Sequence, residues 1–216
     1  MAQKESLSQA MANLEEEKIK NLIKEKFAAG VPAIEILKEC QAGMIEVGNR
    51  YQKDEYFVAE LVYAGEIMKE IMADLEPMLE GTPESETTIG KVVIGTVKGD
   101  IHDVGKDIVV IMLRGAGFEV IDLGVDVPPQ KFVEAVKESG ATVVGMSVFL
   151  TMAYEAAAET VNAIKEAGLR DKVSIMIGGG PVTELVREKT GCDFYGKDAS
   201  AGVNYALKVV GAKQAA

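Results

Sequence analysis

From Gly95 to Asp107 the chain reads GTVKGDIHDVGKD and carries the only histidine of the protein, His102. Asp100 stands two residues before it and Gly105 three residues after it. An imidazole has two ring nitrogens, and an acid at this spacing is placed to accept the proton of one. That fixes the tautomer and leaves the other nitrogen as a basic ligand or proton acceptor. Cys40 and Cys192, the two cysteines, lie far from His102 and in no metal-binding spacing. A zinc-type site built from protein side chains is therefore out of reach, and a metal at His102 must bring most of its own ligands. Two more stretches are chemically unusual. In SVFLT, residues 147–151, the hydroxyls of Ser147 and Thr151 flank Phe149, and in GGGP, residues 178–181, Gly178 and Gly179 offer bare backbone.

The elements that hold these stretches are legible from hydrophobic period. Short β-branched runs, KVVIGTV, FEVIDLG, TVVGMSV, VSIMIGG and a weaker CDFYG, alternate with helical segments from residue 91 onward. That rhythm is βαβ, which predicts an α/β fold with a parallel sheet covered on both faces. Five strands suit a flavodoxin-like (Rossmann-type) doubly wound sheet of order 2-1-3-4-5, whose ligands bind beyond the carboxyl ends of the strands where the order reverses. The stretches around His102, Ser147 and Gly178 follow strands 1, 3 and 4, so this topology brings acid, imidazole, hydroxyls and bare backbone to one rim.

Residues 5–81 read differently. IKNLIKEKFAAG, PAIEILKECQAGMIEVGNRY and FVAELVYAGEIMKEIMADLEPMLEG have apolar residues three and four apart, with stops at Gly30–Pro32 and at QKDEY. A further break near ANLEEE makes four helices, enough for a small bundle. The polar, turn-rich stretch GTPESETTIG reads as a linker. The expected organisation is a helical cap domain at 1–81, a linker at 82–90 about which the cap moves, and an α/β domain at 91–216.

Composition removes several classes of function. With 48% apolar residues the chain has material for a core, and the absence of an apolar leader or a long apolar run predicts a cytoplasmic protein. Net charge is −11, with the acid surplus concentrated in the helical third and no basic cluster, which argues against nucleic acid as a partner.

With motif, order and spacing in place, TVKGDIHDVGKDIV, SVFLT and GGGP resemble the cobalamin-binding domain of corrinoid methyltransferase proteins. The helices before them resemble the methyl-shielding cap of that family, which includes methionine synthase and the methylamine and methanol corrinoid proteins. The resemblance implies a cobalamin cofactor whose macrocycle supplies the equatorial nitrogens to cobalt. Asp100, His102 and Gly105 match the family's Asp-x-His-x-x-Gly motif, in which His102 displaces the cofactor's own dimethylbenzimidazole and binds cobalt from below. Ile101, Asp103 and Val104 come with the motif as cofactor contacts. Ser147 and Thr151 match hydroxyl positions near the nucleotide tail, Phe149 an apolar wall of the tail pocket, and Gly178 and Gly179 the glycine pair that leaves room for the tail; an ordinary tight turn also accounts for the glycines. Phe57 is implied to touch the upper face of the cofactor, with Leu61 and Ala64 beside it, although the same helical spacing suits bundle core.

The resemblance further implies a methyl carrier, non-catalytic alone. Cobalt cycles between a methylated Co(III) state, which accepts a lower ligand, and Co(I), which sheds it. Its partners are a substrate-specific methyltransferase, a second methyltransferase with tetrahydrofolate or a thiol as acceptor, and a reductive activase. Two alternatives share the motif: the cobalamin subunit of a radical mutase, which typically has DGHDRG beside a barrel, and a cobalamin-sensing regulator, which needs a DNA-binding segment. One departure stands out. Ala153 occupies the place of the serine that extends the Asp–His pair in methionine synthase, so that proton relay is expected to be missing.

Overall fold

The computed structural model describes residues 6–79 and 87–211. The chain divides after Thr88 into two compact units. Most of the expected linker, residues 82–86, lies outside the described residues, and Gly90, placed in that linker by the sequence, begins the first strand.

The first unit holds the helices α1 (Leu7–Ala12), α2 (Glu16–Ala28), α3 (Ala33–Gln52) and α4 (Val58–Leu79). Ser6 caps α1, its hydroxyl accepting from the Gln9 amide at 3.2 Å. The expected break falls at Asn13–Glu15, where Leu14 turns the chain at φ 59°. The buried stripe of α3 is Ile36, Leu37, Cys40, Met44 and Val47, and that of α4 is Leu61, Ala64, Met68, Ile71 and Leu75. These are the three-and-four spacings of one helix face. Leu61 and Ala64 are thus core residues, while Phe57 is 68% exposed at the head of α4, where its amide donates to Glu60 Oε2 at 2.8 Å.

The second unit alternates β1 (Gly90–Thr96), α5 (Val104–Gly115), β2 (Phe118–Asp122), α6 (Pro129–Ser139), β3 (Val143–Ser147), α7 (Tyr154–Glu166), β4 (Ser174–Gly178), α8 (Glu184–Thr190), β5 (Phe194–Gly196) and α9 (Ala199–Val209). The sheet order is β2-β1-β3-β4-β5, every pair parallel. One face carries Val93, Val144, Ile175 and Ile177 into a core with Phe132 and Ile164. Val92, Ile94, Val143 and Met176 are buried one residue out of phase and serve the other face. Burial on both faces explains why these strands read as continuous apolar runs rather than alternating ones. No helix among the described residues is long and apolar enough to cross a membrane.

Candidate functional site

The register of the central strands levels the loops. Thr96 pairs with Ser147 and Ser147 with Gly178, so β1, β3 and β4 end in one row. Val97 N then donates to Ser147 O at 3.2 Å, and Val148 N to Gly178 O at 2.9 Å, carrying the ladder one step into the loops. The order reverses beside β1, where β2 and β3 part, and the histidine stretch follows β1.

That stretch is anchored from both sides. Gly99 turns at φ 82°, and the Asp100 amide donates back to Val97 O at 3.1 Å. Thr96, wholly buried, donates its hydroxyl to His102 O at 3.1 Å. Asp126, from the loop after β2, accepts from the Gly99 amide at 2.7 Å and donates its own amide to Asp100 O at 2.9 Å. Asp103 O accepts the Asp107 amide at 2.8 Å, which starts α5 immediately after the motif.

At the centre sits Asp100, with no solvent-accessible surface. Its Oδ1 accepts from the His102 amide at 3.1 Å and meets His102 Nδ1 at 2.7 Å. Its Oδ2 accepts from the amides of Phe149 and Leu150 at 2.6 and 2.8 Å. Burial alone pushes the carboxyl pKa up, but the Leu150 amide, the His102 ring and the Phe149 and His102 amides outweigh it and hold the group down at about 2. Asp100 is therefore a buried carboxylate with all its acceptor positions taken. Facing a carboxylate, Nδ1 carries the ring proton, which leaves the Nε2 lone pair free for a ligand bond. Nε2 has no partner among the described residues, and the His102 side chain is 47% exposed.

The surroundings of the imidazole are apolar and open. Ile101 and Val104 are 70% and 74% exposed, and the half-exposed Phe149 ring lies 4.5 Å from the imidazole, centroid to centroid, at a 30° tilt. Exposed side chains of this kind around one free nitrogen suit a broad, largely apolar ligand lying across the loop. At Gly105, the second residue of α5, an added Cβ meets no heavy atom within 4 Å, so nothing inside the protein requires glycine there. Gly179 differs: φ is 141°, and a Cβ would collide with the Val148 carbonyl oxygen. Its glycine is demanded by the turn itself. Ser147 Oγ, half-buried, and Thr151 Oγ1, exposed, have no partner among the described residues and stand as unengaged hydroxyls near the same rim. Ala153 is buried in the core of this unit and brings no hydroxyl to Asp100, whose second oxygen is taken by backbone amides instead.

Sequence reasoning missed Thr96, Asp126 and the Lys106 group. Lys106 is only 3% exposed, with Nζ 2.7 Å from both Asp122 Oδ2 and Asp107 Oδ1. Burial disfavours its charge, yet the bonds to Asp107 and Asp122 win and raise its pKa. Asp122 Oδ1 in turn accepts the Gly124 amide at 3.0 Å. A lysine in the first turn of a helix, where the dipole disfavours a cation, was a visible signal. Asp126 offered none, because its partners are far away in sequence.

A doubly wound sheet presenting one carboxylate-held imidazole at its switch point defines an α/β protein with a ligand-binding rim at the carboxyl ends of its strands. Residues 90–204 match the model of the B12 binding domain, and residues 3–76 match a second B12 binding domain model. The trimethylamine corrinoid protein of Methanosarcina barkeri is 40% identical over 97% of this chain and 100% of its own length. The dimethylamine corrinoid protein of the same organism is 39% identical over 83% of this chain and 84% of its own. Among solved structures, a cobalamin-binding protein from Desulfitobacterium hafniense DCB-2 superposes with a TM-score of 0.80 at 39% identity, covering 94% of this chain and 96% of that one. The methanol:cobalamin methyltransferase complex of Methanosarcina barkeri gives a TM-score of 0.82 at 25% identity, covering 96% and 79%. The chain belongs to the B12-binding corrinoid proteins, and its cofactor is a corrinoid.

Proposed function

We propose that this protein is a methyl-carrying subunit whose corrinoid is held from below by His102. The observation that carries this is the imidazole itself: Nδ1 is tied to a buried carboxylate while Nε2 is free among exposed apolar side chains. When bound, the corrinoid supplies a cobalt atom that takes up and gives up a methyl group. Asp100 orients His102 by accepting the hydrogen bond from Nδ1, which keeps the Nε2 lone pair turned outward for a ligand. Ile101, Val104 and Phe149 form the apolar bed around it and keep water from the lower side, and Gly105 leaves the space above the start of α5 clear. Asp103 contributes its carbonyl to the start of α5, and Ser147 and Thr151 offer hydroxyls to the nucleotide tail beside Gly178 and Gly179. Phe57, exposed at the head of α4, is the residue of the helical unit that would contact the corrinoid when it is bound.

A methylamine is the methyl donor best supported by the named relatives, which are trimethylamine and dimethylamine corrinoid proteins at 39–40% identity. A substrate-specific methyltransferase loads the carrier. A second methyltransferase, with tetrahydrofolate or a thiol as acceptor, unloads it, and a reductive activase restores oxidised cobalt, all in the cytoplasm. Electron paramagnetic resonance of the Co(II) form tests the central claim. Because His102 is the only histidine, labelling histidine with 15N must change the nitrogen coupling. Coupling that follows dimethylbenzimidazole instead refutes it.

A further inference from the structure

The geometry points to Phe149 as a positioning residue that holds the His102 imidazole in its ligand-binding orientation through a ring contact separate from the Asp100 hydrogen bond. The inference rests on reading His102 as the axial ligand. The imidazole is held covalently at Cγ and by the Nδ1···Oδ1 contact of 2.7 Å, and the tolerance of a hydrogen bond in length and angle still leaves the ring a libration about its side-chain torsions that displaces Nε2. A second contact on the ring face removes that freedom. Phe149 supplies it, at 4.5 Å between centroids and 30° between planes, while much of the histidine side chain is open.

Phe149 is itself anchored at its main chain and backed at its ring. Its own backbone amide donates to Asp100 Oδ2 at 2.6 Å, so one residue grips the carboxylate with its main chain and the imidazole with its side chain. Behind it lies Gly180, where an added Cβ would come within 3.1 Å of Phe149 Cε2. The bare α-carbon lets the aromatic ring settle against the backbone and lean on the histidine.

Substituting Phe149→Leu removes the ring and keeps the amide, so the Asp100 contacts survive and the two holds on the imidazole are separated. Because residue 149 is half exposed, folding tolerates the change. In the cofactor-free chain the ring proton and carbon signals of the one histidine are unambiguous in nuclear magnetic resonance. The Leu variant is expected to shift them downfield, through loss of ring-current shielding, while the 15N pattern of the Nδ1–H tautomer persists. With Co(II) corrinoid bound, the ratio of imidazole-coupled to uncoupled signal is expected to fall roughly 2- to 10-fold, the range of an aromatic pair contact. The ratio is read on corrinoid-loaded chains only, so any corrinoid lost from the pocket does not enter it, and Phe149→Tyr, which keeps the ring, restores both readouts. Unshifted histidine signals, or a wild-type coupling ratio in the Leu variant, overturn the inference. So does a variant that only loses corrinoid content, which makes Phe149 a pocket wall and nothing more. If the wild type itself shows no imidazole coupling, the axial reading fails, and the cofactor-free measurement still decides whether Phe149 holds the ring.

Discussion

At the scale of single residues, Asp100 is where stability and function meet. Its carboxyl is held at about 2 against an ordinary 3.8, so the folded state favours the ionised form by about 2 kcal/mol. The pKa is depressed on folding, so this contribution is fully present above about pH 4 and is lost as pH falls toward 2. Acid unfolding of the cofactor-free chain should therefore show a loss across that window that Asp100→Asn lacks. The Asn variant, which turns an NH2 group toward amide donors, should cost roughly 1–3 kcal/mol near neutral pH, read from denaturant midpoints. The glycines make a second contrast. Gly105→Ala adds a methyl in open space on a helix and should leave the cofactor-free chain as stable or up to about 1 kcal/mol more stable, while corrinoid uptake falls. Gly179→Ala should damage folding itself, because the new Cβ meets the Val148 carbonyl at a backbone angle that L residues avoid. Equal loss of corrinoid uptake and of stability in both variants would erase the distinction. The Asp100–His102 pair was legible from spacing alone. The two backbone amides on the other carboxylate oxygen were not, since they come from the loop after β3 and have no side-chain signature.

At the scale of elements, the histidine loop is held in place by the neighbouring β2–α6 loop. Asp126 sits at φ 52°, a region that non-glycine residues rarely occupy and that Asn and Asp tolerate best. Asp126→Ala removes the acceptor of the Gly99 amide and puts alanine in that conformation, so it should destabilise the cofactor-free chain by about 1–3 kcal/mol. Asp126→Asn keeps both the acceptor and the tolerance and should cost little. Equal midpoints for the two variants would show that the Gly99 contact contributes nothing. The strands themselves could be read from sequence because parallel strands buried on both faces are continuous apolar runs. The clamp between loops could not, because it joins residues whose proximity depends on β1 and β2 lying side by side.

At the scale of the whole molecule, each unit buries one cysteine, Cys40 in the helical unit and Cys192 in the α/β unit. Burial pushes the Cys40 thiol up to about 12 and that of Cys192 up to about 11. Both are inert as nucleophiles in the folded protein. Alkylation at neutral pH should be slower than in denaturant by roughly two orders of magnitude or more, given opening free energies of several kcal/mol. The division into two units, each with one buried cysteine, also predicts that a singly alkylated species accumulates at intermediate denaturant, visible by mass spectrometry. Strictly simultaneous labelling would show that the units open as one. With both thiols silent and one histidine engaged, the corrinoid-loaded chain alone should not sustain methyl transfer from a methylamine to tetrahydrofolate or a thiol. Turnover by the pure chain would make it an enzyme rather than a carrier.

By itself the sequence determined the class of the fold, the order of the strands and the position of the imidazole with its acid, because apolar period, βαβ rhythm and a two-residue spacing are local properties. It also carried the family resemblance, which rests on short contiguous motifs. Only the tertiary structure decided which nitrogen of His102 is free, that Asp100 is saturated by the amides of Phe149 and Leu150, and that the ring of Phe149 lies on the imidazole. It also separated two kinds of glycine, Gly179 required by its own turn and Gly105 required by nothing inside the protein. It sorted Phe57 from Leu61 and Ala64, which share one helical spacing but differ in exposure. These are matters of which atoms meet across strands and loops. The sheet register sets them by placing Thr96, Ser147 and Gly178 in one row.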